Sequence, residues 1–160
     1  MKIHKLSDVK TNKIGKGTII WQYCVIMKGV KIGKNCNICS HSFLEKDIEI
    51  GDRVTIKNGS KLFSSMKIED DVFIGPNVTF TNDRYPRSIR NKNKKILKFP
   101  QTVICKGASV GGGSTILPGI KIGKKAIIGA GSIITKDVKA GSIIYGEQAK
   151  YKRDIKKINK

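Results

Sequence analysis

Counting in sixes from Ile14 meets an apolar side chain at every step to Phe80: Ile14, Ile20, Ile26, Ile32, Ile38, Leu44, Ile50, Ile56, Leu62, Ile68, Ile74 and Phe80. The count lapses there and resumes in phase at Ile104, with Val110, Ile116, Ile122, Ile128 and Ile134. Four places after most of these stops stands a small or β-branched residue, among them Thr18, Cys24, Val30, Cys36, Ser42, Ala108 and Ser132. Gly often follows a stop directly, as at Gly15, Gly33, Gly51, Gly75, Gly111, Gly123 and Gly129. A period of six suits neither an amphipathic helix nor a long alternating strand. It is the period of a hexapeptide β-helix, in which short strands joined at tight corners stack into a triangular prism. The fold class is therefore all-β.

Three hexads close one coil, so residues eighteen apart lie above one another. Ile14, Ile32, Ile50 and Ile68 define a first face, Ile20, Ile38, Ile56 and Ile74 a second, and Ile26, Leu44, Leu62 and Phe80 a third. From Phe80 to Ile104 the chain runs one hexad plus about eighteen residues, so a loop over 81–103 leaves the last corner and the faces continue unshifted. Val110 and Ile128 then belong to the second face, and Ile116 and Ile134 to the third. Loops this long on a compact scaffold are usually functional or disordered. Met1 to Lys13 precede the regular phase and are expected to cap the open end, where a bare strand would invite pairing. Trp21 and Tyr23 sit beside the stops and are expected to face outward. Beyond Ile134 the phase decays, Ser142 to Gly146 read as a last strand, and the tail over 146–160 reads as a short helix on Tyr151, Ile155 and Ile158. The whole chain, 1–160, reads as one domain.

The net charge of +20 suggests nucleic acid at first sight. Most of the excess is Lys spread over the corners, and aromatic residues for stacking bases are few, which favours an ordinary solvated surface. Two basic clusters stand apart: Arg84, Arg87, Arg90, Lys92, Lys94, Lys95 and Lys98 in the loop, and Lys150, Lys152, Arg153, Lys156 and Lys157 in the tail. Both suit phosphates on a small ligand. Cys36 and Cys39 form a nominal CxxC, but Cys24 and Cys36 fall on inward positions, where a free thiol is core filler. A reducing compartment fits. No signal peptide is evident and no apolar run nears the roughly 20 residues that span a bilayer, so a cytoplasmic protein without membrane insertion is expected.

The run Phe73-Ile74-Gly75-Pro76-Asn77 through Asn82-Asp83-Arg84-Tyr85-Pro86-Arg87, with Ile38 to Glu45 and Ile50 to Lys57, resembles a known family. It is similar to the left-handed β-helix N-acetyltransferases of nucleotide-linked 3-amino sugars. The chain departs from that pattern at Gly146-Glu147-Gln148-Ala149-Lys150, where the family often has Gly-Asn-Pro-Ala-Lys, and at Gly111-Gly112-Gly113-Ser114. The resemblance implies a left-handed coil, a homotrimer, and acetyl-CoA lying between two prisms. It implies a nucleotide-linked, dTDP-type dideoxy-amino hexose as acceptor, in surface glycan synthesis, with no metal and no nucleic acid.

The stacking rule then assigns candidates. Gly112 and Ala130 lie two places after second-face stops, and their small size lets a pantetheine arm approach the backbone. Thr135 and Lys136 on the next corner, with Lys152 and Arg153 in the tail, are candidates for the cofactor's far end. Asn77, Gly59 and His41 lie three places after second-face stops, which puts the thioester near Asn77 and His41 beyond it. Acyl transfer to an amine needs approximation, a donor to the developing oxyanion and an acceptor for the proton. His41 is either that base or a partner of the substrate, the alternative base being the departing CoA sulfur. Asn82 either orients the amine or donates to an oxygen, and Asp83 accepts from the amine or a sugar hydroxyl. Glu45 is expected to orient His41 or contact sugar, and Arg84, Tyr85 and Arg87 to meet the diphosphate. Three rivals remain: an O-acetyltransferase, a polyanion-binding scaffold, and a zinc hydratase needing three imidazoles, against the two histidines present, His4 and His41.

Overall fold

A computed structural model describes residues 1–88 and 99–146. Every regular element in them is a strand of two or three residues, and the strands stack in parallel into three sheets. The protein is an all-β parallel solenoid whose hexapeptide repeats fit a left-handed β-helix. The expected terminal helix falls outside the described residues, as do Lys152 and Arg153.

Each sheet is one face of the prism. The first face stacks Lys31–Ile32, Ile48–Ile50, Met66–Ile68, Thr102–Ile104 and Lys121–Ile122. The second runs from Lys2–Ile3 through Asn37–Ile38 and Phe73–Ile74 to Ile143–Ile144, and the third from Asp8–Val9 through Phe43–Leu44 to Ile133–Ile134. The registers cross the loop as expected, pairing Ile68 with Ile104, Ile74 with Val110 and Phe80 with Ile116. The amino-terminal residues do more than cap. Lys2–Ile3 pairs with Ile19–Ile20 and Asp8–Val9 with Val25–Ile26, so they extend the stack.

The apolar stops from Ile20 to Ile134 are buried, and so are the residues four places after them, apart from Arg84 on the loop. That second set is small because it turns each corner inside the prism. Where it is polar, its hydroxyl bonds a carbonyl at the head of the next corner: Thr18 Oγ1 donates to Gly33 O at 2.8 Å, Ser60 Oγ to Gly75 O at 2.8 Å and Ser114 Oγ to Gly129 O at 3.1 Å. Buried hydroxyls are tolerated when so paired, and here the pairing ties one coil to the next. Cys36 does the same with Gly51 O at 3.1 Å. All four thiols are free and buried, and burial pushes each above its ordinary range. The CxxC is core filler.

Three places after the stop, the chain turns with positive φ. The rule holds from Gly17 through Tyr23, Asn35, His41, Arg53, Gly59 and Asn77 to Gly131. Phe80 breaks it, and that is where the loop departs. The left-handed residue is the third of a four-residue β-turn, closed in some coils by a bond such as Ala108 N–H to Cys105 O at 3.1 Å. The glycines directly after the stops have a different cause. At Gly33 and Gly111 an added Cβ would drive into the backbone of the next coil.

Candidate active site

The three edges of the prism differ in chemistry. The edge joining the first and second faces is a ladder of charges. Asp52 caps the Lys34 N–H at 2.7 Å, Asp70 caps that of Asp52 at 2.9 Å, and Glu69 caps that of Lys106 at 2.8 Å. Arg53 grips Asp71 with both ends of its guanidinium, Nε to Oδ1 at 2.5 Å and Nη2 to Oδ2 at 3.0 Å. This hydrogen bond, then the Arg53 charge, holds the Asp71 carboxyl below its usual range.

The edge joining the second and third faces carries no carboxylate among the described residues. It stacks Tyr23, His41, Gly59, Asn77, Gly113 and Gly131 in line, all with positive φ. Beside them run Gln22, Ser40, Asn58, Pro76, Gly112 and Ala130. Each left-handed N–H reaches back to the preceding coil, as Gly113 does to Pro76 O at 2.8 Å and Gly131 to Gly112 O at 2.9 Å. The N–H groups of Gly112 and Ala130 have no acceptor among the described residues. Space beside Gly113 and Gly131 is open, with nothing within 4 Å of an added Cβ. The pantetheine amides expected here need such donors, so the edge fits the group. The Asn77 side chain lies over Gly59, where any Cβ would strike its Oδ1. His41 is exposed at φ +61°, and its ring stacks on Tyr23 with centroids 5.0 Å apart.

Within one protomer Glu45 lies an edge away from His41. It stands on the third edge, between the third and first faces, and its Oε2 accepts from the Ser64 N–H at 2.7 Å and from Asn82 Nδ2 at 3.3 Å. Asn82 Nδ2 also donates to Ser64 Oγ at 2.9 Å. Asp83 Oδ1 accepts from the Tyr85 N–H at 2.8 Å and so fixes the first turn of the loop. Arg84 reaches toward Pro118 O at 3.5 Å, and Arg87 folds back on Pro86 O at 2.9 Å. Thr135 and the exposed Lys136 border a cavity of about 190 Å³ at the carboxyl-terminal end of the described stack, beside Val138 and Ile144.

His41, Asn77, Gly112 and Ala130 therefore share one edge, while Glu45, Asn82 and Asp83 share another. Within one protomer the third face separates them. Ser64 escaped the sequence reading, because a buried serine at a corner carries no signal until the loop is placed over it. The left-handed row was legible in principle from Gly, Asn and Asp recurring three places after the stops.

The bacterial transferase hexapeptide model (six repeats) matches residues 13–46 and 101–136. The galactoside O-acetyltransferase of Lactococcus lactis is 29% identical over 88 residues, 55% of this chain and 42% of that protein. A dTDP-3-amino-3,6-dideoxy-alpha-D-galactopyranose 3-N-acetyltransferase from Aneurinibacillus thermoaerophilus is 44% identical over 54 residues, 34% of this chain and 28% of that protein. The chain thus spans less than half the length of these curated relatives. Its fold is shared with a mutant GDP-perosamine N-acetyl transferase from Caulobacter crescentus solved with CoA and GDP-perosamine, at TM-score 0.64 and 19% identity over 78% of this chain and 50% of that one. The two matched segments are similar to the repeats of the bacterial transferase hexapeptide model, and the fold is the one that structure shares.

Proposed function

We propose that the protein transfers an acetyl group from acetyl-CoA to the 3-amino group of a nucleotide-linked, dTDP-type dideoxy-amino hexose, as a homotrimer with its sites between protomers. Acetyl-CoA supplies an activated thioester. The observation that carries the reading is the carboxylate-free edge from His41 to Ala130, with donor N–H groups left open at Gly112 and Ala130. Those N–H groups would hold the carbonyls of the pantetheine arm, and an edge without acidic side chains suits a polyanion. In this reading His41 accepts the proton of the attacking amine. Asn82 and Asp83 belong to an edge that meets this one across a neighbouring protomer. The 44% identity to a 3-N-acetyltransferase supports the acceptor.

A second reading has its own support. The galactoside O-acetyltransferase relative favours a sugar hydroxyl as nucleophile, and the edge would serve it equally. Thiol release from acetyl-CoA, measured against nucleotide-linked 3-amino and 4-amino sugars and against galactosides, separates the two. The expected result is turnover with a 3-amino sugar nucleotide. Turnover confined to hydroxyl acceptors selects the second reading, and no thiol release with any acceptor overturns both.

A further inference from the structure

We propose that Glu45 is a positioning residue that fixes the Asn82 amide, so that Asn82 meets substrate through Oδ1 as a hydrogen-bond acceptor and not as a donor. The inference rests on the acetyl-transfer reading above and assigns a direction to one of its groups. A primary amide has two faces, and which one turns toward a ligand follows from what holds the other. A carboxylate only accepts, so the Asn82 atom 3.3 Å from Glu45 Oε2 is the nitrogen. The same nitrogen lies 2.9 Å from Ser64 Oγ, which occupies its second N–H. Ser64 is itself buried, and its backbone N–H binds the same Glu45 oxygen at 2.7 Å.

Both donors of Asn82 are thus engaged from below, at the point where the loop leaves the prism. Its Oδ1 has no hydrogen-bond partner among the described residues. An outward carbonyl oxygen orients an N–H of the attacking amine, or a sugar hydroxyl, by accepting from it. It repels an oxyanion. The donor that a developing oxyanion needs is then a group other than the Asn82 amide.

Exchanging donor and acceptor across the pair tests this. Asn82→Asp alone sets two carboxylates against each other, and Glu45→Gln alone leaves an acceptor for the Asn82 amide. In the double variant Glu45→Gln/Asn82→Asp the new amide can donate to the new carboxylate, which still turns an acceptor outward. We expect kcat/KM for the amino sugar to fall about 100-fold in Asn82→Asp and under about 10-fold in Glu45→Gln, and to recover at least about 10-fold in the double variant relative to Asn82→Asp. The KM for acetyl-CoA should stay flat throughout. A merely structural role for Glu45 would move melting temperatures in step with the rates; here the double variant regains rate at an unchanged melting temperature. If Glu45→Gln is active and the double variant is no better than Asn82→Asp, the outward atom must donate and the assignment is overturned. If Asn82→Asp turns over as fast as wild type, the outward acceptor stands and the positioning role of Glu45 is overturned. A wild type that releases no thiol with any acceptor overturns the functional reading, and this assignment with it.

Discussion

His41 pairs an exposed imidazole with a backbone at φ +61°, a conformation that costs an ordinary L-residue about 1–2 kcal/mol. Asn tolerates that region and β-branched residues do not. His41→Asn and His41→Val should therefore lose the imidazole alike but separate in stability, with the Val variant melting lower by an amount equivalent to about 1–2 kcal/mol. Thermal unfolding beside turnover checks it: equal rate loss with unequal melting assigns the rate to the imidazole and the melting to the backbone. Near-normal turnover of His41→Asn across pH would instead leave proton removal to the CoA sulfur. The same residue marks the limit of what the sequence discloses. Its edge followed from counting eighteens, because the hydrophobic column fixes register. Its strained backbone did not, because Tyr23, Arg53 and Lys125 hold the same conformation with side chains that do not favour it; coil-to-coil hydrogen bonds override local preference there. The partners of Glu45 were hidden for a related reason. Sequence places it one corner beyond His41, but only the start of the loop, where Asn82 lies over Ser64, shows what its carboxylate touches.

At the scale of the element, each coil is held to the next by contacts specific to its edge. Gly111 meets the Ala130 backbone so closely that Gly111→Ala forces the coils apart. A loss of about 1–3 kcal/mol is expected, as for overpacking elsewhere, read as a lower denaturant midpoint at unchanged slope. Gly113→Ala makes a contrasting control, since space beside it is open and only its positive φ opposes the change. The charged edge makes a prediction in pH. The Asp71 carboxyl is held below its usual range, chiefly by its hydrogen bond from Arg53. Its contribution is therefore complete above the unfolded carboxyl value of about 3.9 and is lost as pH falls through the lower folded value. Asp71→Asn should melt below wild type near neutral pH, and the gap should close as both are acidified past that value. Because the pair is exposed, the gap should also shrink at about 1 M salt. A gap that widened on acidification would contradict the pairing.

The whole molecule presents unequal faces to solvent. Outward from the first face stand Lys31, Glu49, Lys67 and Lys121, a charged column suited to water. The second face turns Ile19, Phe73, Ile127 and Ile143 outward, and Trp21 and Tyr23 crowd the edge beside it. Phe73, Ile127 and Ile143 are exposed there among the outward Lys2, Asn37, Thr55 and Ser109, and such apolar side chains are what an assembly of like prisms would cover. On the proposed reading the site needs the same contact, because His41 and Asn82 lie on different edges of one protomer. Oligomerisation and turnover should therefore fail together. Phe73 is exposed and outside the core, so Phe73→Asp should leave the fold intact while placing a charge on the covered face. Gel filtration should find wild type near three times its 17.6 kDa mass and the variant near one, with thiol release lost in proportion. Lys31→Asp, on the charged face, should leave the assembly whole. A Phe73→Asp monomer with full activity would mean that one prism carries the complete site, and the separation of His41 from Asn82 would then have to be bridged within a single chain.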